Sequence, residues 1–197
     1  METQNITQEI RNTSLQEALE YLDRGWRPIP IHYRGKQPLL TWKDYQDRAP
    51  TREEVESWFT RWPNAGVALL TGSGSNLVAI DIDGPEGETA LKQLIGDVET
   101  LTNVTAKGRH VLFSHPGSHI DNAVKLLPGI DVRGDGGYII VSPSIHETGH
   151  HYHWADAGLE PAPLPQELLK CLTNEMKRED NPKSRQSACS PSSSFTP

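Results

Sequence analysis

Cysteine is scarce in this 197-residue chain, with Cys171 and Cys189 the only two. Two thiols near one end build neither a cysteine-rich zinc site nor a disulfide framework, and they suit a reducing compartment. Long apolar runs are missing as well. No stretch approaches the roughly 18–20 apolar residues that span a bilayer, and the residues after Met1 are polar, without the basic-then-apolar order of a secretion signal. A cytoplasmic protein that does not enter membranes is expected. Hydrophobic residues make up only 35%, a modest share, yet above that of chains that stay unfolded. An excess of positive charge is also lacking: 19 Lys and Arg stand against 26 Asp and Glu, for a net charge of −7. The overall balance therefore does not favour nucleic acid, and any phosphate contact is left to local patches.

What the chain has in quantity is glycine and proline, 16 and 15 respectively. They punctuate it into short elements, which excludes a long coiled coil or an all-helical bundle. Ser14 and Glu17 form a capping box. Leu15, Ala18, Leu19 and Leu22 follow at helical spacing, with Gly25 as the stop. A second box, Thr51 with Glu54, opens a helix through Val55, Trp58 and Phe59 that ends before Pro63. Residues 26–31 read as a strand, and Pro28 and Pro30 place it at a sheet edge. The apolar runs 66–71 and 77–83, separated by a Gly/Ser-rich turn, predict a hairpin or meander. A helix is expected over 86–95, then strands at 101–105, 110–114, 129–133 and 138–142, with a further one at 150–154. A last helix runs from Gln166 to about Met176. Strands outnumber helices, so the expected class is α+β.

Four segments carry chemistry. In Asp81-Ile82-Asp83, the alternation of a strand puts both carboxylates on one face with Ile80 and Ile82 behind them. Such a pair repels itself, and burial makes each charge worse. A bound Mg²⁺ or Mn²⁺ removes that cost, as hard cations prefer oxygen ligands. The same pattern also fits a solvated strand end running into an Asp-Gly turn. In Asp131-Val132-Arg133 a second apolar strand delivers a carboxylate and a guanidinium to one face, suited to a metal and a phosphate or to an ordinary ion pair. Lys107-Gly108-Arg109-His110 is a basic turn opening a strand, where His110 either donates to a phosphate or serves as a structural histidine. Gly136-Gly137-Tyr138 leads to Ser142-Pro143-Ser144, where glycines allow close backbone approach. His146, His150, His151 and His153 lack a cysteine or carboxylate partner pattern, which favours a solvated strand face over zinc.

Taken together, the order D-x-D, G-R-H before an apolar strand, G-I-D-V-R-G-D-G-G-Y and S-P-S-x-H resembles the bifunctional primase–polymerase (Prim-Pol) domain of the archaeo-eukaryotic primase superfamily. Gly35-Lys36-Gln37-Pro38 with Trp42 upstream, and Gly149 with Tyr152-His153-Trp154 downstream, match its layout too. The resemblance covers roughly residues 15–170. It implies a primase-like catalytic core, a mixed or antiparallel sheet with flanking helices and an RRM-like half. It further implies that Asp81, Asp83 and Asp131 hold two catalytic Mg²⁺ or Mn²⁺ ions and that His110 contacts the triphosphate of the incoming nucleotide. Lys107, Arg133 and Ser142 become phosphate neighbours by position. Lys107 stands where the family often has glycine, and Ser142-Pro143-Ser144 where Pro-Pro-Ser is common.

The implied activity is template-dependent nucleotidyl transfer, as a DNA primase or DNA polymerase, from dNTP or NTP onto a 3′-hydroxyl. A silent nucleotide- or DNA-binding module and a metal-dependent phosphodiesterase are the alternatives. Lys36, Lys43, Arg48 and Arg52, with Trp42 or Tyr45 to stack on a base, are candidates for contacting single-stranded DNA or a primer–template. They read equally as a solvated face with a core tryptophan. A helicase or another replication or defence protein is a further expected partner. The expected organisation is a flexible N-terminus (1–13), a catalytic domain (14–178) and a disordered Ser/Pro-rich tail (179–197). Without a zinc insertion or helicase region this is a minimal catalytic domain or a fragment of a longer protein.

Overall fold

The structure, a computed structural model, describes residues 2–179. The Ser/Pro-rich segment beyond lies outside the described residues. Strands β1 (Pro28–Ile31), β2 (Gly66–Leu70) and β8 (Tyr138–Val141) form a three-stranded antiparallel sheet in the order β1-β2-β8. A larger sheet takes β3 (Leu77–Asp83), β4 (Thr102–Val104), β5 (Gly108–Ser114), β6 (Ala123–Leu127), β7 (Ile130–Arg133) and β9 (His153–Trp154), in the order β6-β7-β3-β5-β4-β9. Its seventh strand, β10 (Ala162–Pro163), runs parallel to β5. Among the described residues four α-helices complete the fold: α1 (Glu2–Asp23), α2 (Arg52–Arg61), α3 (Gly84–Ile95) and α4 (Gln166–Glu179).

β3 is the spine of the larger sheet because it is apolar on both faces. Val78, Ile80 and Ile82 join Val111, Phe113 and Val132 in a core closed by Leu91 of α3 and by Leu168 and Leu172 of α4. Leu77 and Ala79 face the other way. With Leu112 they pack on Ala18 and Tyr21 of α1, Val55 and Phe59 of α2, and Val67 and Leu69 of β2. A strand covered on both sides reads as a continuous apolar run, as this one does.

Several expectations are met in detail. β1 lies at a sheet edge, where its prolines forfeit no second ladder. Thr51 Oγ1 accepts from the Glu54 N–H at 3.2 Å while the Glu54 carboxylate accepts from the Thr51 N–H at 2.8 Å, closing the capping box. Two expectations are corrected. The runs 66–71 and 77–83 do not form a hairpin: β2 is paired on both sides, by β1 and β8, so no edge remains for β3. Only Gly72 and Leu77 bridge, and the chain crosses there from one sheet to the other. Nor does Ser14 start a helix. α1 begins at Glu2, and Ser14, 2% exposed, is a buried position inside it. Strand β6 was unanticipated, since Val124 is 68% exposed and Lys125 has φ 56°, breaking the alternation that marks a strand.

Candidate functional site: a carboxylate and histidine row across the large sheet

Antiparallel register aligns Asp131 of β7 with Asp81 of β3, Asp81 with His110 of β5, and His110 with Asn103 of β4. Residues directly opposite share a sheet face, so these side chains form a row across four strands. Asp83, two residues beyond Asp81, lies on the same face opposite Gly108. Arg133, opposite Ala79, shares it too. The face is therefore divided along β3: Leu77 and Ala79 enter the core, and from Asp81 onward the same face turns polar and open.

Charge is imperfectly balanced there. Arg133 Nη2 donates to Asp131 Oδ2 at 3.0 Å and lies 3.8 Å from Asp81 Oδ2. The Lys125 N–H donates to Asp131 Oδ1 at 2.8 Å. Asp81 is less well served. Burial first, and then the Asp83 charge, push its pKa up to about 6 despite Arg133. Burial, with Arg133 and Lys36 adding to it, holds His110 down at about 3, so the imidazole is neutral at pH 7. Its Nε2 sits 3.4 Å from Asp81 Oδ1, and its ring stacks on Tyr152 with centroids 6.4 Å apart. Asp83 is the N-cap of α3, yet its side chain makes no capping hydrogen bond. A carboxylate in that position that does not cap its own helix is available to another partner.

An open cavity of about 440 Å³ lies over this row, walled by Lys36, Asp81, His110, Arg133, Tyr138 and Tyr152 among others. Lys36, expected at a DNA contact, thus joins the cavity. Trp42 does not line it but meets Tyr138, which does, edge-on at 5.4 Å. Lys43 is exposed on a 3-10 turn whose Gln46 accepts from the Gly136 N–H at 3.1 Å. The other suggested cations are engaged elsewhere, Arg48 with Glu54 and Arg52 with Asp23. Tyr45 packs edge-on against Trp58 and donates to Glu54.

Two expected phosphate neighbours are not on the cavity wall. Lys107 is exposed in the β4–β5 turn beyond Asp83, where its carbonyl accepts from Gly84. Ser142 turns toward α1, its carbonyl accepting from Tyr21 Oη at 2.8 Å. The histidines after 145 are not one solvated face. His151 and His153 are exposed, but His146 is 7% exposed and bonded through Nδ1 to Thr148 Oγ1 at 2.9 Å. Asn103 escaped sequence reading, and Tyr152 entered it only within the downstream Tyr152-His153-Trp154 motif, with no place at the site assigned to it. An asparagine in the middle of a β-rich tripeptide, Thr102-Asn103-Val104, was the available signal, because asparagine is depleted in strands.

Carboxylates, a neutral imidazole, a lysine and an arginine thus surround one cleft on a mixed α/β fold with antiparallel sheets and few helices. The chain belongs to the bifunctional DNA primase/polymerase family: the model of that family's N-terminal Prim-Pol domain matches residues 18–167. Membership implies primase and polymerase activity, a nucleotidyl transfer with nucleotide and DNA as substrates. No curated protein matches the chain. Among the described residues no helix is long and apolar enough to cross a membrane.

Proposed function

We propose that the chain is a template-directed nucleotidyltransferase whose reaction centre is the Asp131–Asp81–His110 row together with Asp83. The observation that carries this reading is the register that sets three carboxylates and a neutral histidine on one open sheet face, inside the span of the family match. The larger sheet with α3 and α4 would be the primase-like core and its RRM-like half, in a catalytic domain over residues 14–178.

Among the described residues no three His, Cys, Asp or Glu side chains are drawn together as a finished metal cluster. The donor chemistry nonetheless fits hard divalent cations. Asp81, Asp83 and Asp131 supply only carboxylate oxygens, and burial first, with the Asp83 charge second, raises the pKa of Asp81, a cost that a bound cation would remove. These three would hold two Mg²⁺ or Mn²⁺ ions, which supply Lewis acidity toward the attacking 3′-hydroxyl and the departing pyrophosphate. His110, neutral and held rigidly by the sheet, would donate to a triphosphate oxygen. Arg133 and Lys36 would balance phosphate charge from the cavity wall, where preorganised cations act without rearrangement. Lys107 and Ser142 would need a loop movement to reach the same phosphates. Lys36, Lys43 and Trp42 would meet the DNA strand along the rim.

The test is nucleotide incorporation on primed and unprimed single-stranded DNA, with dNTPs or NTPs and Mg²⁺ or Mn²⁺. The wild type is expected to extend a strand, and Asp81→Ala and Asp83→Ala each to abolish this while keeping the fold. Substantial incorporation by either variant would overturn the assignment. Nucleotide binding without incorporation by the wild type would make the chain a silent module, and strand cleavage would make it a phosphodiesterase.

A further inference from the structure

Asn103 sits behind His110, out of the cleft. It is 0% exposed and directly opposite His110 in the β4–β5 register. Its Nδ2 lies 3.2 Å from His110 Nδ1 and donates at 3.1 Å to the Ile140 carbonyl of the other sheet. A side-chain amide nitrogen has two hydrogens and no acceptor capacity. The Ile140 carbonyl only accepts, so it fixes which end of the amide is nitrogen: an oxygen there would face another oxygen. With one hydrogen on Ile140, the second is left for His110 Nδ1 at 3.2 Å. The Ile140 carbonyl also acts on the His110 ring as a hydrogen-bond acceptor, so ring and amide compete for it; where Nδ1 accepts from Asn103, the proton of the neutral imidazole resides on Nε2. Nε2 is the atom beside Asp81 at the cleft. The arrangement has a cost, since Asn103 Oδ1 is buried with no hydrogen-bond partner among the described residues. An apolar residue of the same size would avoid that cost but could not orient the ring.

We propose that Asn103 is a positioning residue: by donating to Nδ1 it locks His110 as the Nε2–H tautomer, so the ring presents a donor to a phosphate oxygen of the incoming nucleotide. This rests on the reading of His110 as a triphosphate contact. Without the amide the ring would populate both tautomers, and one of them turns a lone pair toward the phosphate.

The experiment uses the full chain with ¹⁵N-labelled histidine. Long-range ¹H–¹⁵N correlations report which ring nitrogen is protonated, and the His110 signals, among eight histidines, are identified by their loss in His110→Ala. The wild type should show an unprotonated Nδ1 and a protonated Nε2. Asn103→Asp should move the proton to Nδ1, because a carboxylate can only accept, and Asn103→Leu should give a mixture. Both variants should bind α,β-imido dATP in Mg²⁺ about tenfold more weakly, the usual scale of one hydrogen bond. A proton on Nδ1 in the wild type overturns the proposal, whether or not the variants fold. So does wild-type affinity in a folded Asn103→Leu. If His110→Ala itself binds the analogue normally, the triphosphate reading of His110 fails, and the purpose assigned to the amide falls with it even where the tautomer is as stated.

Discussion

Asp81 is where this fold works against its own stability. Its carboxyl is partly buried beside Asp83 and Asp131, and a pKa raised to about 6 means that the folded state favours the protonated form. The contribution is fully favourable below the unfolded value of 3.8 and is lost as the pH rises through 6. The gap corresponds to up to about 3 kcal/mol at pH 8. Asp81→Asn keeps the shape and removes the charge. Denaturant unfolding in the presence of EDTA should therefore find the variant more stable than wild type at pH 8 and level with it near pH 4. Equal stability at both pH values would show that the carboxylate is not strained by its neighbours. This is the stability that functional sites commonly forgo.

At the scale of elements, the alignment of β3 with β5 depends on Gly108. A Cβ there would run into the Ile82 carbonyl oxygen across the ladder, and backbone cannot step aside as a side chain can. Gly108→Ala should cost about 1–3 kcal/mol, the usual range for overpacking. It should also weaken nucleotide binding, because it pries apart the two strands that bring Asp81 to His110. Unfolding curves and nucleotide titration of one preparation would check both effects, and a variant with normal values for each would show that the ladder tolerates the extra atom. Apart from β6 and β10, the strands were legible as short apolar runs between turn residues, and so was the common face of Asp81 and Asp83, since a period of two fixes it locally. What alternation cannot give is which strand lies beside which. The pairing of β2 with β8 and of β3 with β7 joins segments about 50 to 75 residues apart, and so displaced the expected hairpin. Asn103 stayed hidden for the same reason: its partners, His110 and Ile140, belong to two other strands.

On the scale of the whole molecule, Asp135 ties the two sheets together. Its Oδ1 accepts from the Ser73 N–H at 2.8 Å, in the crossover between β2 and β3, and its Oδ2 accepts from the Ile120 N–H at 2.9 Å. His115 Nε2 lies 3.1 Å from the same oxygen. Burial alone would raise its pKa, but these backbone donors and His115 outweigh it and hold the carboxyl at about 2. The stability this supplies is present above the unfolded value of 3.8 and is lost as the pH falls toward 2. Asp135→Asn should lower stability at pH 7 by about 1 kcal/mol after solvent screening and make little difference near pH 2. Melting temperatures measured across that interval would reveal the convergence, and parallel curves would mean that Asp135 carries no such linkage.

The row across the large sheet also sets a ruler. Neighbouring strands are held about 4.8 Å apart by the backbone ladder, so the spacing between the Asp131 and Asp81 carboxylates is inherited from main-chain geometry, with one short methylene on each side to adjust it. Aspartate and glutamate cease to be interchangeable under that constraint. A glutamate at either position carries its oxygens one carbon past the mark, and no neighbouring strand can shift to compensate without dragging the Ile80 and Val132 layer beneath it.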